Sequence, residues 1–397
     1  MQRIAIEPRP DWKAQAENLG FQLHTIHGQT YWDESAYYAF TLEQVENDLE
    51  DPSQQIHDMA MALVDEVVGN EELLRKLHIP ELYWDWIATS WRGGDAHLYG
   101  RIDLAYDGHG PAKLFELNYD TPTSLYESAY FQWLWLEQQI AAGRLPAGTD
   151  QYNSIQENLC ETFATLARDK RIGARVHFAA VRDSAEDQAT VLYLQDCAHQ
   201  VGVDTALVAV EDIGLSAEGW FTDTDDSVIQ TLFKLYPLEF MMEEEFGPSL
   251  VADKMQLLEP PWKAILSNKG ALPLLWERHR GHPNLLEARF DDAAGQPPPR
   301  GFVRKPLFSR EGANVEVMTG EGERFSTPGP YGDGPAILQA YHPLPNFDGN
   351  YPLVGSWIVA DRASGIGVRE DATLITQDTS RFVPHAIVED SRVWKAV

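Results

Sequence analysis

One stretch, HLYGRIDLAYDGHGPAKLFELNYDTPTSLYE (97–127), constrains this chain more than any other. In YGRIDLAY, Arg101, Asp103 and Ala105 alternate with Ile102, Leu104 and Tyr106. A period of two marks a strand with one polar and one apolar face. AspGlyHisGly (107–110) is a turn signal. In AKLFELN, Glu116 and Asn118 share one face while Phe115 and Leu117 point the other way. The segment therefore reads as a hairpin folded about 108–110, which brings Asp103 near Glu116 and Asn118. Two carboxylates and an amide oxygen on one sheet face suit magnesium, which keeps water and substrate phosphate in its other positions. Arg101 adds a fixed cation for a phosphate or a carboxylate. A half-exposed polar strand with an Arg–Glu cross-strand pair has the same pattern, so the metal reading needs support from elsewhere in the chain.

The surrounding pattern is that of a mixed α/β protein. Residues 1–95 read as mostly helical, with Thr41 placed to cap LEQVENDLED and IHDMAMALVDEVV (56–68) apolar at helical spacing. Residues 96–255 hold the hairpin, an aromatic-rich helix over 126–141 whose run QWLWL (132–136) reads as core, and an α/β stretch. In that stretch VHFAAV (176–181) and DTALVAV (204–210) read as buried strands between helices, which predicts a mixed or parallel sheet. Residues 256–397 form the third part. There 336–340, 353–360 and 365–376 read as strands of one antiparallel sheet, and the Gly/Pro-rich stretch 318–335 as a turn linker or a mobile lid.

Composition narrows the function classes. The chain of 397 residues carries 61 Asp and Glu against 31 Lys and Arg, a formal charge of −30. That balance disfavours nucleic acid, whose phosphates need positive charge, and favours cations such as polyamines and divalent metals. Hydrophobic residues at 44% and 12 tryptophans exclude disorder as the main description. Two cysteines, Cys160 and Cys197, both in apolar-periodic stretches, suit buried thiols in a reducing compartment. No apolar run approaches a membrane span and the N-terminus has no signal core, so the expectation is a soluble, cytoplasmic protein without a membrane partner. The histidines show no zinc spacing, and no Ser-His-Asp or Cys-His signature stands out.

Support for phosphate chemistry lies in the C-terminal part. Lys269 follows SerAsn in ILSNKGALPLL, and Lys305 ends the strand-like FVRK. PLFSREGANV then supplies Ser309, Gly312 and Asn314, a small-residue turn whose amides can lie over phosphates, although no G-x-x-x-x-G-K-[ST] loop is present. Arg369 closes GIGVR just before LIT (374–376). Tyr236, Glu239 and the run Glu243 to Glu245 read as a solvated face or as the lining of an amine pocket.

The order GRIDLAYDG, AKLFELNYDTPTS, KLYPLE, NKGALPLLW, VRKPLFSREGANV, GVRED and LIT resembles the synthetase domain of glutathionylspermidine synthase, an ATP-grasp ligase, from near residue 30 to near 380. Bifunctional members carry an amidase domain ahead of the synthetase. The expectation is that this chain has no room for one, so that it resembles the stand-alone acid–amine ligase branch. The resemblance implies an ATP-grasp-type synthetase fold, with a nucleotide cleft between sub-domains and with ATP and a pair of magnesium ions as cofactors. It matches Asp103, Glu116 and Asn118 to the magnesium ligands, and Lys269 and Lys305 to lysines on the nucleotide phosphates. Gly312 falls in the phosphate-covering loop. Gln339, Ala340 and Tyr341 fall in the hinge beside adenine, and Leu374, Ile375 and Thr376 in a nucleotide-contacting stretch. Arg101 and Arg369 match arginines that meet the acyl phosphate, and Thr121, Glu186 and Asp187 match substrate contacts. Departures occur at Leu353, where the family has glutamine, at Asp187 for glutamate and at Thr121 for serine; they bear on substrate identity. The implied reaction joins a small-molecule carboxylate, a peptide for instance, to an amine such as a polyamine. An ATP-grasp peptide or amino-acid ligase and a catalytically silent nucleotide-binding protein are the alternatives.

Overall fold

The computed structural model describes residues 1–26, 28–291, 296–332 and 334–389. Its architecture is mixed α/β, with three main sheets and helices packed on them. The 97–127 stretch does form a hairpin, Tyr99–Ala105 against Lys113–Asn118, with Arg101 opposite Asn118 and Asp103 opposite Glu116. The register shifts between Asp103 and Leu104, where Glu116 and Leu114 become successive partners and Phe115 is left over. This bulge corrects the simple alternation. Phe115 lines a central cavity instead of pointing away from the Glu116 face, as an extra residue in one strand re-aims its neighbours. Leu117 stays in the core.

The hairpin is one edge of a five-stranded antiparallel sheet in the order Lys113–Asn118, Tyr99–Ala105, Tyr351–Val359, Arg362–Asp371, Arg381–Val383. A second antiparallel sheet runs Ala288–Phe290, Ala336–Ala340, Phe302–Pro306, Glu316–Met318, Arg324–Ser326. Residues 336–340 thus belong to a different sheet from 351–359 and 362–371. Alternation reports that a segment is a strand but not which strand it meets. The strand expected over 365–376 ends at Asp371, leaving 374–376 as a loop. The stretch 318–335 contains the edge strand Arg324–Ser326; Asp333 lies outside the described residues.

The third sheet is parallel throughout: Gln256–Leu258, Thr231–Leu235, Arg175–Ala180, Asp204–Ala209. Helices Ile155–Arg168 and Ala185–Gln200 accompany it. Asp204–Ala209 is an edge, with Leu207 50% exposed, so it is not the buried strand its composition suggested. Helix Asp51–Val67 buries Ile56, Ala60, Leu63, Val64 and Val67 at helical spacing in the largest core. Ahead of it, Thr41 and Gln44 form a reciprocal cap. The Gln44 amide donates to Thr41 Oγ1 (3.1 Å) and the Thr41 amide to Gln44 Oε1 (3.0 Å). Pro273 is the third residue of helix Ala271–Arg278, where no intrahelical N–H bond is lost. In QWLWL, Trp135 and Leu136 are core, while Trp133 is 44% exposed.

Strands Gln2–Ala5, Ala36–Phe40 and His385–Ile387 make a small sheet that ties the two ends of the described chain together. His385 is fully buried there, with Nδ1 on Gln132 Oε1 (2.8 Å) and Nε2 accepting from the Tyr152 amide (3.2 Å). Both contacts fit a neutral ring, and burial holds its pKa down at about 3. A depressed folded pKa means that the unfolded chain takes up the proton first. Stability is therefore full above about pH 6.5 and declines as pH falls from there toward 3. At pH 5 this one group is expected to cost about 2 kcal/mol. Denaturant melts from pH 7 to 4 should show the slope, and His385→Gln should flatten it; an equal slope in the variant would assign it to other groups.

Candidate active site

A cavity of about 290 Å³ opens between the two antiparallel sheets. The five-stranded sheet with the hairpin supplies Arg101, Asp103, Glu116, Asn118, Leu353 and Arg369 to its wall. The second sheet supplies Val303, Lys305, Val317, Gln339 and Ala340. Leu235 and Pro237, at the carboxyl end of a parallel strand, and Asp187, after another, reach the cavity from the third sheet, the usual place for a ligand in such sheets. Lys269, Ser309, Gly312, Tyr341, Thr121 and residues 374–376 complete the set of residues chosen from the sequence that line the wall. Glu186 is not among them.

The polar end of the cavity is a lattice of opposite charges. Arg101 holds Asp103 through two bonds, Nε to Oδ1 (2.7 Å) and Nη2 to Oδ2 (3.1 Å), and donates Nη1 to the Thr123 carbonyl (2.7 Å). Gly355, opposite Asp103 on the neighbouring strand, makes room for this, because a Cβ there would lie 2.8 Å from Arg101 Cδ. Asn118 Nδ2 donates to Asp103 Oδ2 (3.0 Å). Lys269 Nζ bonds Glu116 Oε1 (3.1 Å) and the Ser309 carbonyl. Lys305 Nζ bonds Gln339 Oε1 (2.8 Å) and the carbonyl of the bulged Phe115 (2.9 Å). Burial pushes the Lys305 amine down to about 8, against the opposing pull of Glu116.

Among the described residues no three His, Cys, Asp or Glu side chains are grouped to cage a metal. The donor set is instead two carboxylates in register and one amide, hard oxygens that fit magnesium arriving with phosphate oxygens of its own.

The other end is apolar. Val315, Val317 and Ile375 pack together with Val303 and Tyr341, and Leu344 and Leu353 extend the surface. The loop carrying Gly312 closes on this slot. Gly312 has φ +69, and a Cβ on it would meet the Thr376 carbonyl at 2.5 Å and Ile375 Cγ2 at 2.9 Å. Only glycine combines that backbone with that approach.

Beside the polar end, Arg310 donates to Thr121 Oγ1 (2.7 Å) and Glu239 Oε1 (2.6 Å). Arg369 is held by the Asp378 (2.8 Å) and Gln377 (2.5 Å) carbonyls and lies over the Tyr31 ring. In both arginines the buried Nε–H has no partner among the described residues. Asp187 sits in the first turn of helix Ala185–Gln200, its amide capped by Ser184 Oγ (3.3 Å). Burial and the charges of Glu186 and Glu311 push it up to about 6. Glu186 lies off the cavity wall, and its charge helps to raise the pKa of Asp187, Glu127 and Glu311. Glu243 to Glu245 are solvated, with Glu244 taking the Tyr236 hydroxyl (2.5 Å). Arg310 and the valines of the slot were not singled out from the sequence, since no local spacing links them.

The family described as "Glutathionylspermidine synthase preATP-grasp" matches residues 3–388. The chain belongs to the glutathionylspermidine synthase family. It is an ATP-dependent carbon–nitrogen ligase by that membership. A Haemophilus influenzae protein named "Putative acid–amine ligase" is 38% identical over 98% of this chain and all of its own length. Trypanothione synthetase of Crithidia fasciculata is 31% identical over 83% of this chain, which spans 53% of that enzyme. The bifunctional glutathionylspermidine synthetase/amidase of Escherichia coli is 24% identical, and the chain spans 64% of it. In structure, a glutathione synthetase-like effector of Globodera pallida, 13% identical, superposes over 96% of this chain and 98% of its own with a TM-score of 0.57, which supports the ATP-grasp fold. No helix among the described residues is long and apolar enough to cross a membrane. For a member of the glutathionylspermidine synthase family, the Gly312 loop gives a direct prediction. Gly312→Ala should raise KM for ATP about tenfold, the cost of one strained left-handed residue at that contact. Steady-state kinetics check this; an unchanged KM would mean that the loop does not approach the nucleotide.

Proposed function

We propose that this chain is an ATP- and magnesium-dependent acid–amine ligase that joins a carboxylate of peptide type to an amine through an acyl phosphate. The single observation that carries this reading is one cavity with an apolar slot at one end and five basic side chains, Arg101, Lys269, Lys305, Arg310 and Arg369, at the other. In a chain of charge −30 this concentration of cations, with Lys305 and Arg369 bonded to no carboxylate among the described residues, suits a polyanion. The relatives named for glutathionylspermidine and trypanothione synthesis support the choice of acid and amine classes.

In this reading the purine lies between Val303, Val317, Tyr341, Leu374 and Ile375, beside Gln339 and Ala340. Lys269 and Lys305 neutralise its phosphates, and the amides around Gly312 cover them. Magnesium, held by Asp103, Glu116 and Asn118, would supply charge neutralisation at the phosphate oxygens. The acid's carboxylate, placed by Thr121 and Arg310, attacks the γ-phosphorus in line. Arg101 and Arg369 meet the charge that builds on the acyl group, the orphan Arg369 Nε–H being a ready donor. Asp187, with Glu186 behind it, draws the amine in as a cation. Its pKa near 6 suits it to receive the proton the amine must lose. Positioning, not a protein nucleophile, is the main contribution.

The test is ADP release by the purified chain across a panel of carboxylates and amines that begins with glutathione and spermidine, with amide product read by mass. ADP formation that needs both an acid and an amine, with matching product, is expected. AMP as the nucleotide product, or no stimulation by any pair, would overturn the reading.

A further inference from the structure

The cavity chemistry uses neither of the chain's 2 cysteines, although they lie 37 positions apart in the sequence. The fold brings them together. Cys160 stands on helix Ile155–Arg168 and Cys197 on helix Ala185–Gln200, which pack side by side. The Cys160 thiol points at the Cys197 backbone carbonyl (Sγ to O 3.7 Å), with Gln200 Oε1 at 4.0 Å. Cys197 is completely buried among the core residues of the parallel sheet, whereas Cys160 is only partly buried. One thiol is therefore reachable from solution and the other waits behind it. That is the arrangement of an attacking and a resolving cysteine. The expectation of two buried thiols is corrected for Cys160, which is only partly buried.

We propose that Cys160 and Cys197 form a reversible dithiol–disulfide site that, when oxidised, pins the helix carrying Asp187 to its neighbour. The oxidant is a low-molecular-weight disulfide. The Cys160 thiolate attacks one of its sulfurs and expels one thiolate, leaving a mixed disulfide on Cys160. Cys197, its proton passing to the departing thiolate, attacks the Cys160 sulfur and expels the second. Two protein thiols and one disulfide become one protein disulfide and two small thiols, so two electrons pass to the reagent. The packing of the two residues favours this order. The nearness of Cys197 lowers the Cys160 pKa, while the nearness of Cys160 and burial raise that of Cys197. In a reducing compartment the pair rests as the dithiol and closes only under oxidative load.

The consequence reaches the cavity along one rigid element. Helix Ala185–Gln200 carries Cys197 near its end and Asp187 in its first turn, on the cavity wall. A bond at one end of the helix restrains the placement of the other.

The experiment treats the folded full-length chain with hydroxyethyl disulfide and follows intact mass, free thiols and amide exchange. The expected result is loss of both thiols, a mass lower by two hydrogens, reversal by dithiothreitol, and slower exchange across 185–200. Cys197→Ser should stop at a stable adduct of half the reagent, and Cys160→Ser should stay unmodified. A stable adduct on the unsubstituted chain, a disulfide-linked dimer, or exchange unchanged on oxidation would each overturn the proposal. Because none of these readouts involves ATP, failure here is separable from failure of the ligase reading.

Discussion

Asp103→Asn is expected to lower ADP formation about a thousandfold while leaving the chain folded. Asp103 is 7% exposed, and its carboxylate takes two bonds from Arg101 and one from Asn118, in a register that sets it opposite Glu116. An amide of the same shape keeps the packing but removes the negative charge that offsets Arg101 and would hold magnesium. It also points an N–H at a guanidinium that has only donors, so the arginine loses its fixed orientation as well. Loss of a buried charge partner costs about 3 kcal/mol of stability. A melt in parallel with the kinetics therefore separates misfolding from lost chemistry. A variant that melts a few degrees lower and is nearly inactive fits the account; one that turns over normally removes Asp103 from the site.

Lys305→Met is expected to reduce kcat/KM for ATP by about a hundredfold to a thousandfold. The amine is 8% exposed and fixed by the Gln339 side chain and the Phe115 carbonyl, and methionine replaces the stem but not the charge. The pKa near 8 adds a signature that a packing role would lack. At pH 8 the free lysine is only partly protonated, and an arriving triphosphate favours the charged form. Nucleotide binding should then draw a proton from the buffer. Calorimetry at pH 8 in buffers of different ionisation enthalpy should detect that uptake, and the Met variant should lose it. Equal heats in all buffers for the unsubstituted chain would contradict the assignment.

The hairpin was legible because a period of two and a glycine turn are local signals. The same logic misplaced Phe115, since a bulge breaks alternation without leaving a mark in the composition. Residues 336–340 were legible as a strand but assigned to the wrong sheet, because pairing is decided by partners distant in sequence. Arg310 escaped notice although it contacts Thr121 and Glu239, residues about 190 and 71 positions away, for the same reason. The slot of Val303, Val315, Val317 and Ile375 was hidden among ordinary strand valines. Motif order, by contrast, carried the family and the choice of Asp103, Glu116, Lys269, Lys305 and Arg369, which the fold gathers around one cavity. Glu186 marks where wording and geometry part: it belongs to the acidic pair but does not line the cavity.

The central claim is that a carboxylate oxygen attacks the γ-phosphate of ATP. It is tested most directly by supplying the acid substrate with its carboxylate labelled in oxygen-18, together with ATP, magnesium and the amine, and measuring the isotope in the released phosphate. One labelled oxygen is expected in each phosphate formed, with ADP in equal amount. Label in AMP, or amide product formed with unlabelled phosphate, would contradict it.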